Sequence, residues 1–151
     1  VFDGGKHGVV QGLAVLAEHP QRDLDGGLAI GGHMIAVELH ASMARRLQAR
    51  FPAVDVRQAS AKQVVDSMID RPGRLVLVSS LPFRSLPKDV GAETVDSICR
   101  FLAHSHERKL VQFTYQPRAP FAVPRGLRWH RRAVVWRNTP PAGVWELRAV
   151  E

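Results

Sequence analysis

The chain is poor in cysteine, in tyrosine and in long apolar runs, with one Cys and one Tyr among 151 residues. A single thiol, Cys99, excludes an internal disulfide and fits a reducing compartment. It stands in an apolar stripe of helical spacing and reads as a core residue rather than a nucleophile. No apolar stretch is long enough to span a bilayer. No basic leader followed by a long apolar segment opens the sequence, so no signal peptide is expected. Val1 stands where an initiator Met would be, and the expectation is a truncated or processed N-terminus. Nitrogen and sulfur ligands are too sparse for a metal: His104 and His106 are close, but neither a partner Cys nor a second His pair accompanies them. What is present, 45% hydrophobic residues over this length, suits one globular domain with its own core.

Acidic residues are missing from one long stretch. Twenty-one Lys and Arg against 14 Asp and Glu leave a net charge of +7. From Arg108 to Gly143 there is neither Asp nor Glu, while Arg118, Arg125, Arg128, Arg131 and Arg132 all fall there. A field of one sign attracts polyanions, either nucleic acid or an anionic membrane surface; a plain solvated basic face is the simpler alternative.

The periodicities describe an α/β chain. Val1-Phe2-Asp3 reads as the end of a strand, Gly4 to Gly8 as a turn, and Val9, Leu13, Leu16 and Ala17 as one side of a helix ended by His19-Pro20. Residues 21–33, polar and Gly-rich, read as a loop. Met34 to Val37 is a buried strand with Glu38 at its carboxyl end. Ala41 to Phe51 is a helix carrying Met43, Leu47 and Phe51 on one side and Arg45, Arg46 and Arg50 on the other. Val54 and Val56 mark a short strand, and Ser60 is placed to cap a helix over 61–69. After the strand Leu75 to Val78 come a helix over 90–104, a strand from Leu110 to Tyr115, a Pro-rich loop over 116–128, and two strands, Trp129 to Trp136 and Val144 to Val150, closing as a hairpin.

The chain is organised around Arg74 to Pro87, RLVLVSSLPFRSLP. Four apolar residues of strand character end abruptly in Ser79-Ser80-Leu81-Pro82-Phe83. Pro82 lacks an N–H and cannot continue a ladder. In open α/β sheets, ligands bind at the carboxyl ends of strands. A small polar residue, then Leu-Pro, then an aromatic at such an edge resembles motif IV of amino-directed methyltransferases. Together with Ser85 to Pro87, Gln112 to Arg118 (QFTYQPR) and Asn138 to Ala142 (NTPPA), it is similar in order and spacing to the bacterial phospholipid N-methyltransferases. Those enzymes methylate phosphatidylethanolamine and resemble the rRNA adenine dimethylases in fold. The likeness covers residues 34–150; Ser80 stands where that family usually has Gly.

The resemblance implies a Rossmann-like class I methyltransferase sheet, mostly parallel with a C-terminal antiparallel hairpin, in a single domain over 1–151 whose first 33 residues are atypical. It implies S-adenosylmethionine as cofactor. Asp3, Gly5 and Gly8 would form a degenerate motif I, with His7 and Val9 where further glycines belong. Glu38 would receive the ribose hydroxyls, since a carboxylate is acceptor-only. Ser60 falls where an acidic residue often meets the adenine amino group, beside its reading as a cap. Ser79 or Ser80, and the carbonyls around Leu81 and Pro82, would orient the target nitrogen. Phe83 and Tyr115 would wall in a methylated ammonium, Tyr115 being otherwise a core aromatic. No His or carboxylate has motif support as a base, which leaves water or Tyr115. The five arginines would meet an anionic, cytoplasmic membrane face, with the protein peripheral to it. An RNA adenine methyltransferase and a non-catalytic relative that binds membrane, nucleic acid or cofactor remain as alternatives.

Overall fold

A computed structural model describes residues 12–22, 28–137 and 139–150. Asp3, Gly5 and Gly8 lie outside the described residues, as does Asn138 of the NTPPA stretch. Among the described residues seven strands form one sheet: β1 (Leu13–Arg22), β2 (Leu28–Glu38), β3 (Asp55–Gln58), β4 (Arg74–Ser79), β5 (Lys109–Thr114), β6 (Leu127–Val135) and β7 (Ala142–Ala149), in the order β3-β2-β1-β4-β5-β7-β6. Three helices connect them: α1 (Ala41–Arg50), α2 (Ala61–Ser67) and α3 (Lys88–Ala103). The α/β class and the closing hairpin expected from the sequence are present.

The sheet is mixed rather than mostly parallel. β2 with β3 and β4 with β5 run parallel, whereas β1 is antiparallel to both β2 and β4, and β7 is antiparallel to β5 and β6. The cause is local. Only residues 23–27 separate β1 from β2, and a connection that short returns the chain antiparallel; a parallel pair needs a crossover of a dozen or so residues. The same hairpin corrects two further expectations. Leu13 to Ala17 is strand, not helix, and its buried positions Leu13, Val15 and Ala17 alternate. Much of the stretch read as a loop over 21–33 is paired strand, with Arg22 opposite Leu28 and His19 opposite Gly31. Pro20 is tolerated because β1 has left β4 beyond Glu18 and, among the described residues, pairs there with β2 alone.

The core lies on one face of the sheet. Leu13, Val15, Ile35, Val37, Leu75, Leu77, Leu110 and Leu147 meet Val64, Val65 and Met68 of α2 and Ile98, Phe101 and Leu102 of α3. Alternation sends Ala36 and Val78 to the other face, where Leu47 of α1 adjoins them. On α1 the expected apolar side is only partly covered: Ala44 is its buried residue and Phe51 is exposed. α2 and α3 are tied by Asp66, which accepts from Arg100 at 3.0 Å and from Lys62 at 2.7 Å; these cations hold the Asp66 carboxyl below its ordinary range. No helix among the described residues is long and apolar enough to cross a membrane.

Candidate functional site

The carboxyl ends of β2, β3, β4 and β5 and the amino end of β1 come to one edge of the sheet. Ser79 of β4 pairs with Leu13 on one side and Gln112 on the other. The β1–β4 ladder continues one residue further: Ser80 N–H donates to the Gly12 carbonyl at 3.1 Å, and Gly12 N–H donates to Ser80 Oγ at 3.3 Å. Beyond Ser80 the chain turns on itself. Ser79 Oγ accepts from Leu81 N–H at 3.1 Å. The Leu81 carbonyl accepts from Phe83 N–H at 3.0 Å, and the Pro82 carbonyl from Ser85 N–H at 2.7 Å and Leu86 N–H at 3.2 Å. The turn expected from Pro82 is thus a closed backbone knot.

Three adjoining hollows open around this knot. A cleft of 320 Å³ is lined by Ser80 to Ser85, by Gln112 to Gln116 and by Pro120. Phe83 and Tyr115 therefore share one cleft, as expected, though their rings have different partners. Phe83 meets Phe121 edge-on at 4.7 Å between centroids, and Tyr115, 47% exposed, meets Phe113 at 5.4 Å. A second hollow of 240 Å³ has largely apolar walls, among them Leu13, Leu39, Leu81 and Val90, with Ser60 in its lining. A third, of 270 Å³, includes Gly12, Glu38, Ser79, Ser80 and Phe113. Leu81 is common to the first and second, Ser80 to the first and third, and Leu13 and Val37 to the second and third.

Glu38 is 5% exposed, and its Oε1 accepts from His40 N–H at 2.9 Å. Ser60 forms a complete capping box on α2: its Oγ accepts from Gln63 N–H at 3.2 Å, and Gln63 Oε1 accepts from Ser60 N–H at 3.0 Å. The capping reading of Ser60 is the one its bonds express.

The basic residues do not gather in one place. Arg118 is exposed on the segment that rims the 320 Å³ cleft, where Arg84 Nη2 donates to the Ala119 carbonyl at 3.4 Å. Arg125 stands in the turn before β6, and Arg128, beside Arg148, lines a hollow at the opposite edge of the sheet with His106 and His130. Arg131 and Arg132 lie on the outermost strand, Arg131 over the Trp145 ring at 5.9 Å and Arg132 paired with Glu146 at 2.5 Å. Arg108, counted in the same stretch, is a core residue at 2% exposure. It donates to the carbonyls of Ile69, Phe101 and Arg71 and lies over the Phe101 ring at 4.5 Å.

Gln112 has the least expected geometry. It is fully buried, and its Nε2 donates to the Leu81 carbonyl at 3.0 Å and the Phe113 carbonyl at 2.9 Å. The sequence held one sign of this. In LVQFT, Leu110 and Gln112 share a face under strand alternation, so an amide stands where the pattern calls for a core residue.

No known family pattern matches this chain, and no curated protein or solved structure is significantly similar to it.

Proposed function

We propose that this chain is a nitrogen-directed methyltransferase domain whose substrate is a phospholipid amine of the phosphatidylethanolamine kind, presented at an anionic membrane surface. The observation that carries the reading is the convergence of the Ser79–Phe83 turn, Tyr115 and Glu38 on one sheet edge, in three hollows that share walls. The strand order supports it as well. β3-β2-β1-β4-β5 is the order of doubly wound nucleotide-binding sheets, whose ligands sit at the switch point, here between β1 and β4.

The residues present fit S-adenosylmethionine in part. The apolar 240 Å³ hollow suits a flat base, with Leu39 and Leu81 as its walls. Glu38 has one carboxylate oxygen engaged by His40 and can offer the other to a hydroxyl pair. The poor fit is at β1, which enters this edge at Leu13 instead of leaving it, so no helix begins after it to face a charged group. Affinity for the cofactor should therefore be weak. That cofactor would supply, when bound, a methyl group on a positively charged sulfur, open to the lone pair of an uncharged amine, with a neutral thioether as leaving group and water as acceptor of the surplus proton. The chain's own part is to hold the amine in the Phe83–Tyr115 cleft and keep water from it.

The reversed β1 favours a second reading, a domain that binds such ligands without turning them over. Calorimetry with S-adenosylmethionine, followed by transfer of labelled methyl to phosphatidylethanolamine vesicles, separates the two. Heat that disappears in Glu38→Ala, together with labelled lipid, is the expected result. Binding without label supports the second reading. No heat at millimolar cofactor and no label would sink the methyltransferase reading, and label entering structured RNA but not lipid would reassign the substrate.

A further inference from the structure

Every acceptor that the sequence assigned to the substrate nitrogen is already engaged. A carbonyl oxygen has two lone pairs. That of Leu81 takes both Phe83 N–H and Gln112 Nε2, and that of Pro82 takes Ser85 N–H and Leu86 N–H. Ser79 Oγ takes Leu81 N–H, and Ser80 Oγ takes Gly12 N–H. A substrate N–H would have to break one of these bonds to reach either carbonyl, and at either hydroxyl it would have to share an oxygen already engaged.

Gln112 Oε1 is different. Two carbonyl oxygens within 3.0 Å of the other end of the amide fix that end as nitrogen, because the flipped amide would set oxygen against oxygen. The oxygen is thereby turned away from both carbonyls, is buried, and meets no donor among the described residues. Yet Gln112 is a lining residue of the 320 Å³ cleft, between Leu81-Pro82-Phe83 on one side and Phe113 to Tyr115 on the other. A buried acceptor left without a donor is costly, so a ligand that brings one is selected over a ligand of the same shape that does not.

Resting on the function proposed above, we infer that Gln112 is the substrate-orienting residue of this cleft, and that its Oε1 accepts an N–H from the amine headgroup. Its Nε2 at the same time holds the Leu81 carbonyl, so the receiving atom and the turn that carries Phe83 move as one unit. The ligand class follows: a primary or partly methylated amine beside a phosphodiester. Each methyl added replaces one N–H. A quaternary headgroup has none, leaves Oε1 unmet, and is the species the cleft holds least well. Gln112 would thus set both the entry of substrate and the release of the fully methylated product.

The test is solution NMR of the whole chain with two short-chain lipids, dihexanoyl phosphatidylethanolamine and dihexanoyl phosphatidylcholine. The Gln112 side-chain amide signals should shift with the first and not the second, with binding of the first roughly tenfold or more tighter. Gln112→Met, close in volume and without an acceptor, should bring the two affinities together; should it not fold, the wild-type signals decide alone. Shifts at Phe83 and Tyr115 with both lipids, but none at Gln112, would overturn the role of Gln112 and leave the proposed function standing. Absence of any cleft shift with either lipid would overturn both. A structured RNA that moves the Gln112 signals where the ethanolamine lipid does not would overturn the lipid-amine assignment.

Discussion

Arg108 and Gln112 stand four positions apart and are both buried, but of the two Gln112 lines the 320 Å³ cleft. Arg108 spends its guanidinium on three backbone carbonyls around the end of α2 and of α3. Burial lowers its basicity, which the charge of Asp70 partly restores. Arg108→Leu should lower stability by about 2–5 kcal/mol, read as a reduced urea midpoint, because it strips donors from partly or wholly buried carbonyls. Arg108→Lys should rescue little, since a point charge cannot serve three acceptors in one plane. Beyond the alternation that puts Gln112 on a core face, neither residue's bonding was legible in the sequence. Burial of a polar group depends on what packs over it, and that comes from distant elements. The place of Glu38 at a strand end and the Ser60 cap were legible because strand ends and caps are written within a few residues. A pH effect belongs here too. Arg132 holds the Glu146 carboxyl below its ordinary value, against some desolvation. A depressed folded-state value means that this contribution is fully present above the unfolded value, about 4.3. It is lost as pH falls through the folded one. Glu146→Gln should therefore lower stability at neutral pH, where the contribution is fully present, and flatten the profile below about pH 4.

At the scale of elements, the β1–β2 hairpin shows where sequence periodicity gives out. In LAVLA, Leu13, Leu16 and Ala17 satisfy helical spacing, while Leu13, Val15 and Ala17 satisfy alternation equally well. The tie is broken by β4 alongside, which no local window contains. β4, α3 and β5 were legible because each has length, period and punctuation in agreement. Strand direction was not, since it follows from connection length in a segment read as a loop. Among the described residues no third strand joins the hairpin beyond Glu18, and a two-stranded ribbon is marginal by itself. Backbone amides of 19–22 should exchange with deuterium well before those of 13–17, as hydrogen exchange would record. Ser60→Ala should cost about 0.5–2 kcal/mol through the lost cap. If Ser60 acts only as a cap, thermal midpoints will drop while the heat of cofactor binding stays unchanged.

For the whole molecule, the distribution of positive charge argues about orientation. Arg84 and Arg118 flank the cleft, whereas Arg125 and Arg128 belong to the far part of the structure and Arg131 and Arg132 to the outermost strand. On an edge strand, such charges also discourage pairing with a second sheet. If the cleft meets the membrane, Arg84→Glu with Arg118→Glu should weaken binding to anionic vesicles more than Arg128→Glu with Arg131→Glu, and added salt should shrink the difference. Equal losses from the two pairs would indicate diffuse attraction with no preferred face.

The pairing of β1 with β4 has a consequence in time. Leu13 meets Ser79, and Glu18 meets Arg74, across all of β2, α1, β3 and α2. Until residue 79 has left the ribosome, one long side of β1 has no partner, and an open strand edge is a template for association between chains. Contacts so far apart also make for slow folding. A nascent chain halted before Arg74 should therefore be prone to aggregate, and a chaperone that shields that edge should matter more to yield than any substitution in the finished core.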